Sequence, residues 1–243
     1  MDAALTTPKP ANITTADAAT VGVGFYTACL GVLPGLNIPI PTDPKDVPAG
    51  SGEFALVLGG SSSVGKFAVQ LLHVFGYKVI TTCSPKYSTL LKSIGAYETL
   101  DYKLAQDELI SALSDITANK LYRVFDAMAA NHDFVKALFQ SVEGTKYFSS
   151  TDDWTPLDSK DFNDAVLYRV ALGPIGRADA TELNGMISQF IPLMYHLLQT
   201  GQVKPSEYEV IGEKGFESVA EAWAYQQSGK GGAKKVLAHL QDA

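Results

Sequence analysis

The stretch VLGGSSSVGKFAVQLL, residues 57–72, constrains the fold of this chain more than any other segment. An apolar run ends at Gly59 and Gly60, three serines follow, and a helical periodicity begins at Val64. A strand, a tight turn and a helix in this order are typical of a dinucleotide-binding unit, in which the helix N-terminus receives a pyrophosphate. Because Ser62 replaces the middle glycine of that motif, the turn also fits a helix N-cap cluster that binds no ligand.

The segments around this turn alternate between strand-like and helical patterns. We predict strands over residues 54–59, 77–83, 97–102, 123–128 and 146–150, and helices over residues 64–75, 88–94, 105–117 and 133–140. Such alternation requires crossover connections and therefore a parallel sheet. The predicted fold class is α/β, a Rossmann-like doubly wound parallel sheet with helices on both faces, followed by C-terminal α+β segments.

The same patterns divide the chain into four parts. Residues 1–33 are a lead-in and a buried helix that begins at residue 14 or 15, and residues 34–53 are an exposed proline-rich loop. Residues 54–172 are the dinucleotide-binding domain, with a sixth strand over 165–172. Residues 173–243 hold helices over 181–200 and 216–227 and closing strands over 208–211 and 235–240.

Charge and residue usage exclude several classes of partner. The net charge is −7, from 19 basic and 26 acidic residues, which argues against nucleic acid or an anionic membrane surface as a partner. Two cysteines and four scattered histidines show no ligand spacing, so no metal site is predicted. The chain has no signal pattern and no apolar run of the ~18 residues that a membrane span needs, and we expect a soluble cytoplasmic protein.

The end of the second predicted strand, TTCSPKY, bears on the choice of cofactor. A site for NAD offers a carboxylate to the ribose hydroxyl at this point, whereas this chain has Ser84, Lys86 and Tyr87. Hydroxyl donors and a cation suit a 2′-phosphate, which predicts NADPH. The alternative is a simple Ser-Pro turn with a solvated lysine. Tyr102 follows the next strand and is placed to stack near an adenine, and Asp126 is interpreted as a structural acid that caps a loop.

Several stretches in order resemble the medium-chain dehydrogenase/reductase superfamily: AATVGVGFYTACLGVL, the segment over residues 54–103, VFDAM, and the tail over residues 197–240. More closely, the chain is similar to the zinc-free, trans-acting enoyl reductases of fungal polyketide pathways, from about residue 12 onward. The resemblance implies NADPH as cofactor and delivery of a hydride to the β-carbon of an enoyl thioester.

The resemblance also implies roles for individual residues. It places the turn at the pyrophosphate, the CSPKY strand end at the 2′-phosphate and Tyr102 near the adenosine; the residues concerned are Gly59, Gly60, Ser61, Ser62, Ser63, Val64, Ser84, Lys86 and Tyr87. Thr27 matches a threonine near the nicotinamide and is the candidate catalytic residue. Lys235, or its neighbour Lys234, matches a tail position close to the cofactor. The alternatives are a Thr27 hydroxyl bonded back to its own helix, and a solvated turn at the two lysines.

Members of the family begin with a GroES-like catalytic domain, and here only a short lead-in precedes the first helix, so we expect that domain to be absent. Three hypotheses follow: an NADPH-dependent enoyl or quinone reductase, a non-redox cyclase or isomerase on the same scaffold, or a cofactor-binding module without chemistry. The reductase would take a small-molecule or carrier-bound polyketide-type substrate, with a polyketide synthase as partner.

Two further expectations concern the protein surface and the proton donor. Apolar faces left exposed at residues 21–33 and 186–198 predict a homodimer. Tyr26, Tyr168 and Tyr195 are candidate proton donors by residue type alone.

Overall fold

The computed structural model describes residues 3–48, 50 and 52–241. The predicted parts also include residues 1, 2, 49, 51, 242 and 243, which lie outside the described residues. A six-stranded sheet has the order β3-β2-β1-β4-β5-β6, and every neighbouring pair of strands is parallel. Its strands are β1 (Phe54–Leu58), β2 (Lys78–Cys83), β3 (Ala96–Asp101), β4 (Arg123–Asp126), β5 (Tyr147–Ser150) and β6 (Val166–Arg169). The predicted Rossmann-like, doubly wound sheet is confirmed.

Eight α-helices and a second, small sheet complete the described residues. The helices are α1 (Thr15–Ala19), α2 (Gly22–Val32), α3 (Ser63–Val74), α4 (Ser88–Ser93), α5 (Gln106–Thr117), α6 (His132–Phe139), α7 (Thr181–Gln199) and α8 (Ser218–Gln227). Short 3-10 helices lie at Ala3–Leu5, Pro85–Tyr87 and Ser159–Phe162. Strands β7 (Tyr208–Val210) and β8 (Lys235–Leu237) pair in parallel as the second sheet.

The alternation of side chains along β1 shows why the sheet is covered on both faces. Ala55 and Val57 belong to a core that α2, α3 and α7 complete, whereas Leu56 and Leu58 belong to a core completed by α5 and α6. All four side chains are almost fully buried, as expected for a parallel sheet between two helical layers. The carboxyl ends of the strands are thereby left as the open edge of the domain.

The single helix predicted from residue 14 or 15 to 33 is wrong in one respect, because the structure divides it into α1 and α2. The break falls at Thr20, a buried residue whose hydroxyl donates to the Asp17 carbonyl over 2.7 Å and accepts the Ser206 N–H over 3.1 Å. These bonds end α1, and glycine at the first position of α2 adds no preference for a continuous helix. The chain turns here so that α2 can lie along α3.

Two expectations about exposure are also wrong. Leu36 and Ile38, in the irregular proline-rich loop, are buried, and the apolar side chains at residues 21–33 and 186–198 largely form the core between α2, α3 and α7. Only Val23 is a strongly exposed large side chain among them. The exposed apolar side chains of the C-terminal region lie elsewhere: Val210, Phe216, Val219, Trp223 and Leu240. A search of the described helices finds none with the length and apolar character of a membrane span.

Candidate functional site

The turn between β1 and α3 is held by the neighbouring strand. The Gly59 N–H donates to Thr82 Oγ1 over 3.0 Å, and the Gly60 N–H donates to the Thr82 carbonyl over 2.9 Å. Ser62 is the N-cap of α3, and its Oγ accepts the Gly65 N–H over 2.9 Å. The capping role weighed for Ser62 is therefore present, and the turn still leads directly into the N-terminus of a twelve-residue helix.

Two glycines of the turn allow an approach that no side chain would permit. Gly59 has a φ of +81°, and a Cβ there would lie 2.2 Å from Met128 Cγ. A Cβ on Gly65 would lie 2.2 Å from the Gly59 carbonyl oxygen, so the first turn of α3 rests directly on the preceding loop. Glycine is required at both positions because the backbone of the turn is packed against β4 and against its own helix.

A cleft of about 640 Å³, which we call the strand-end cleft, opens at the carboxyl ends of β1, β2 and β3. It brings together Ser84, Lys86, Tyr87 and Tyr102, all predicted from the sequence, with the glycine–serine turn. Its lining residues are Gly59, Ser61, Thr82, Cys83, Ser84, Lys86, Tyr87, Tyr102, Lys103, Met128, Ala130, Asn131 and Gly232. Lys103 follows Tyr102 directly, so the rule of polar residues after strand ends was a signal for it that the sequence analysis missed.

Aromatic rings and ammonium groups share the rim of the strand-end cleft. Tyr102 is 56% exposed, and Lys103 Nζ lies 5.9 Å from its ring centroid. Lys86 Nζ lies 4.9 Å from the centroid of the Tyr87 ring, whose hydroxyl accepts the Ala233 N–H over 3.1 Å. The rim therefore presents one exposed aromatic face and two cations, which suits a nucleobase beside a phosphate.

Asp126 shapes the floor of this cleft without presenting charge to it. The carboxylate is fully buried at the end of β4 and accepts hydrogen bonds from the backbone N–H groups of Met128, Ala130 and Asn131 and from Asn131 Nδ2. All four donor–acceptor distances lie between 2.8 and 3.1 Å. The structure confirms the interpretation of Asp126 as a loop-capping acid.

A second cleft of about 580 Å³ lies on the other side of the turn, and we call it the helix cleft. It is bounded by the N-terminal part of α3, by α8 and by the segment that leads into β8. Its lining residues are Ser61, Ser62, Ser63, Lys66, Val219, Ala222, Trp223, Gln226, Gly232, Ala233, Lys234, Lys235, Val236 and Ala238. Ser61 and Gly232 line both clefts, so the two clefts meet at the turn.

Two lysines of the helix cleft are held away from water. Lys66 is only 4% exposed and donates from Nζ to the Ala233 carbonyl, while Lys235 is partly buried. Burial lowers the pKa of both ammonium groups below the ordinary value for lysine. Glu207 opposes this effect at Lys66, and the positive charge of Lys235 adds to it.

Lys234 and Lys235, left as alternatives by the sequence, differ in their surroundings. Lys234 Nζ lies 2.6 Å from Glu209 Oε1, and the same carboxylate accepts the Tyr225 hydroxyl over 2.6 Å. This carboxylate raises the pKa of Lys234. Lys235 forms no ion pair with a carboxylate in the described part of the chain. Of the two, Lys235 is therefore the cation that is not neutralised within the protein.

Thr27 lies in the middle of α2, and its Oγ1 donates to the Val23 carbonyl over 2.7 Å. That bond is the alternative that the sequence analysis left open, and the clefts as described do not include Thr27. The three candidate tyrosines also lie outside the two linings. The hydroxyl of Tyr26 is paired with that of Thr7, and burial raises the pKa of both Tyr26 and Tyr168. Roles for these residues in chemistry stay predictions.

The two linings share one electrostatic property. The protein has 26 acidic residues, yet no aspartate or glutamate is among the residues that line either cleft, whereas five lysines are. Within the described residues, no group of three or more His, Cys, Asp or Glu side chains could hold a metal ion. Together with the N-terminus of α3, the two clefts form a continuous surface that can bind an extended anionic ligand.

No protein-family model matches the chain. Among curated proteins, the trans-enoyl reductase TOXD of Cochliobolus carbonum is 38% identical over 151 residues, which are 59% of this chain and 46% of that protein. The trans-enoyl reductase grgB of a Penicillium species is 27% identical over 244 residues, 94% of this chain and 66% of that protein. The chain thus spans less than two thirds of the length of each of these relatives.

Solved structures share the fold over nearly the whole chain. The CurK enoyl reductase superposes with a TM-score of 0.71 at 19% identity, covering 96% of this chain and 65% of that one. A mycobacterial protein in complex with NADPH gives 0.71 at 19% identity, with 98% and 68% covered. A putative zinc-dependent alcohol dehydrogenase of Rhizobium etli gives 0.75 at 20% identity, with 100% and 69% covered. By sequence the chain is thus related to the fungal trans-enoyl reductases over the part of them that it spans, which confirms its predicted resemblance to the medium-chain dehydrogenase/reductase superfamily.

Proposed function

We propose that this chain binds NADPH along the two clefts and provides the cofactor-binding part of an enoyl reductase. The observation that carries the proposal is the absence of carboxylates from the residues lining both clefts, combined with five lysines and a helix N-terminus at their junction. In a chain of net charge −7, such a surface suits a ligand with several phosphate groups.

The residues present fit this cofactor. Ser84, Lys86 and Tyr87 surround the end of β2 with donors and a cation, where a carboxylate would repel a 2′-phosphate. Ser63 Oγ, at the start of α3, is enclosed and has no hydrogen-bond partner among the described residues, which leaves it free to donate to a phosphate oxygen. Bound NADPH would supply the hydride; the residues of this chain bind and orient it, with Tyr102 offering an exposed ring to the adenine.

The substrate and partners are proposed from the relatives. Two of them carry the name trans-enoyl reductase, which supports an α,β-unsaturated thioester of polyketide type as the substrate and a polyketide synthase as the protein that presents it. A homodimer stays a prediction, since the apolar surface first expected to form it is part of the core. Sedimentation velocity of the purified chain distinguishes a dimer from a monomer.

Titration with NADPH and NADH, followed by tryptophan fluorescence, tests the cofactor. The wild-type chain is expected to bind NADPH more tightly than NADH. Lys86→Ala should weaken NADPH binding about tenfold or more through loss of a charge-assisted hydrogen bond, and should leave NADH binding unchanged. Lys92→Ala is the matched control, because Lys92 pairs with Glu98 outside both clefts. Equal affinity for the two cofactors would contradict NADPH specificity.

A second measurement tests the reaction. NADPH oxidation with a panel of enoyl thioesters and enones is expected for the wild-type chain, alone or with the polyketide synthase that it serves. Tight NADPH binding without oxidation under both conditions would refute the reductase while leaving the cofactor site intact. Conversion of a substrate without NADPH consumption would instead support the cyclase or isomerase alternative.

A further inference from the structure

The helix cleft contains a pair of lysine side chains whose charge the protein does not neutralise. Lys66 comes from the first turns of α3, and Lys235 begins β8, 169 positions later in the chain. Lys66 donates to a backbone carbonyl, and neither ammonium lies within ion-pair distance of a carboxylate among the described residues. Glu207 is close enough to act on Lys66 through space, and it is solvent-exposed.

Holding two like charges together inside a cleft is unfavourable for the folded chain alone. Desolvation penalises each ammonium, and the two repel one another. A buried cation without an acidic partner is uncommon in proteins, because substitution by an apolar residue of similar size is often neutral or stabilising. The neighbouring Lys234, by contrast, is exposed and paired with Glu209. The arrangement is therefore explained best by an anion that enters the cleft from outside.

The rest of the cleft indicates the size and position of that anion. Ser61 and Gly232 belong to both linings, so a ligand that runs from the strand-end cleft over the turn arrives beside the two lysines. Ser63 also lines the helix cleft, and its hydroxyl oxygen is enclosed without a partner. Two ammonium groups, one hydroxyl and the N-terminus of α3 provide more donors than a single phosphate needs.

We propose that Lys66 and Lys235 form a diphosphate-binding pair that clamps the pyrophosphate of the bound dinucleotide against the start of α3. The proposal rests on the proposed NADPH function and assigns to Lys66 a role that the glycine–serine turn alone does not predict. The closing segment at residues 232–235 is part of the same subsite, because the Ala233 carbonyl positions the Lys66 ammonium. Lys234 has no part in the subsite, since Glu209 neutralises it.

Ligand fragments separate this subsite from the strand-end cleft. Lys66→Met and Lys235→Met should each weaken binding of NADPH and of 2′-phospho-ADP-ribose about tenfold or more, and should leave adenosine 2′-monophosphate, which lacks the diphosphate, unchanged. Lys86→Ala should weaken all three ligands. Lys234→Met is the matched control and should change none of them. Unchanged NADPH affinity in both Lys66→Met and Lys235→Met would overturn the proposal.

Two further measurements keep the proposal independent of the variants' folding and of the proposed function. Thermal melting of the ligand-free chains should show Lys66→Met to be at least as stable as the wild type, because a desolvated charge is removed; a marked loss of stability would indicate a structural lysine instead. Calorimetry with inorganic pyrophosphate should show binding that both variants lose. Pyrophosphate binding without NADPH binding would keep the subsite and refute the proposed function, and binding of neither would refute both.

Discussion

Residue roles in the site divide into those that local sequence determines and those that it does not. Gly59 and Ser62 were predictable, because a strand-to-helix turn requires a positive φ and an N-cap within a few residues of each other. Lys66 was not, because VGKF reads as an ordinary amphipathic helix with a solvated lysine. Its burial comes from the segment around Ala233, 167 positions away, and no local pattern reports that contact.

The burial of Lys66 has a consequence for pH dependence. The pKa of its ammonium is lowered from 10.5 in the folded chain, so the unfolded chain binds more protons between the lowered value and 10.5. Stability contributed by this residue therefore rises with pH across that window, as the penalty for the buried charge disappears. Melting curves of wild type and Lys66→Met, recorded from neutral pH to above 10.5, should show the advantage of the variant shrinking as the pH rises.

Other groups that titrate at high pH are present in both chains, so the difference between the two melting temperatures isolates Lys66. A difference that is constant across the range would show that the Lys66 ammonium is as well solvated in the folded chain as in the unfolded one. Pyrophosphate binding should weaken over the same window, because the neutral amine no longer attracts the anion.

At the scale of elements, the strands and helices were predictable because their periodicities are strong, whereas the contacts between helices were not. The hydrophobic run that predicted one helix over residues 15–33 has no periodicity that reveals a break. The break at Thr20 depends on the Ser206 N–H, which belongs to a distant segment. Close packing of α2 on the sheet likewise depends on Gly31, which lies against the ring of Phe125 on β4.

Gly31→Ala tests that close packing. A Cβ at this position would lie 2.2 Å from Phe125 Cε2, with two further ring atoms within 2.8 Å. Because the ring is fully buried and cannot move away freely, we expect a loss of about 1–3 kcal/mol in the free energy of unfolding, measured by urea denaturation. Gly185→Ala on the exposed face of α7 is the control: no atom lies within 4 Å of its Cβ, and a gain of roughly 0.5–1 kcal/mol is expected. Equal effects of the two substitutions would contradict the packing described for α2.

At the scale of the whole molecule, the sequence predicted which segments form the parallel sheet and that its strand ends carry the site. It did not predict that the C-terminal segment closes over the turn, because only the folded chain brings residues 232–235 beside α3. The proposed site thus has two parts of different origin. The strand-end cleft is built within the sheet domain, and the helix cleft exists only where α8 and β8 return to that domain.

The return of the C-terminal segment depends on few contacts, and this permits a final prediction. The Ala233 N–H donates to the Tyr87 hydroxyl and the Ala233 carbonyl accepts from Lys66, so two side chains of the sheet domain hold one peptide unit on each side. Tyr87→Phe removes the acceptor and leaves the ring. Hydrogen–deuterium exchange should then accelerate at residues 232–235, while amides of β1 and α3 keep their protection, because local opening requires no unfolding of the sheet.

The control for this experiment is Tyr97→Phe, since Tyr97 is 55% exposed on β3, away from both clefts. It should leave exchange in the C-terminal segment unchanged. Faster exchange throughout the sheet in Tyr87→Phe would show that Tyr87 stabilises the whole domain and not the contact with the C-terminal segment. If the segment opens as expected, Tyr87→Phe should also weaken pyrophosphate binding, because Lys235 moves with the segment and one half of the lysine pair is then no longer held in place.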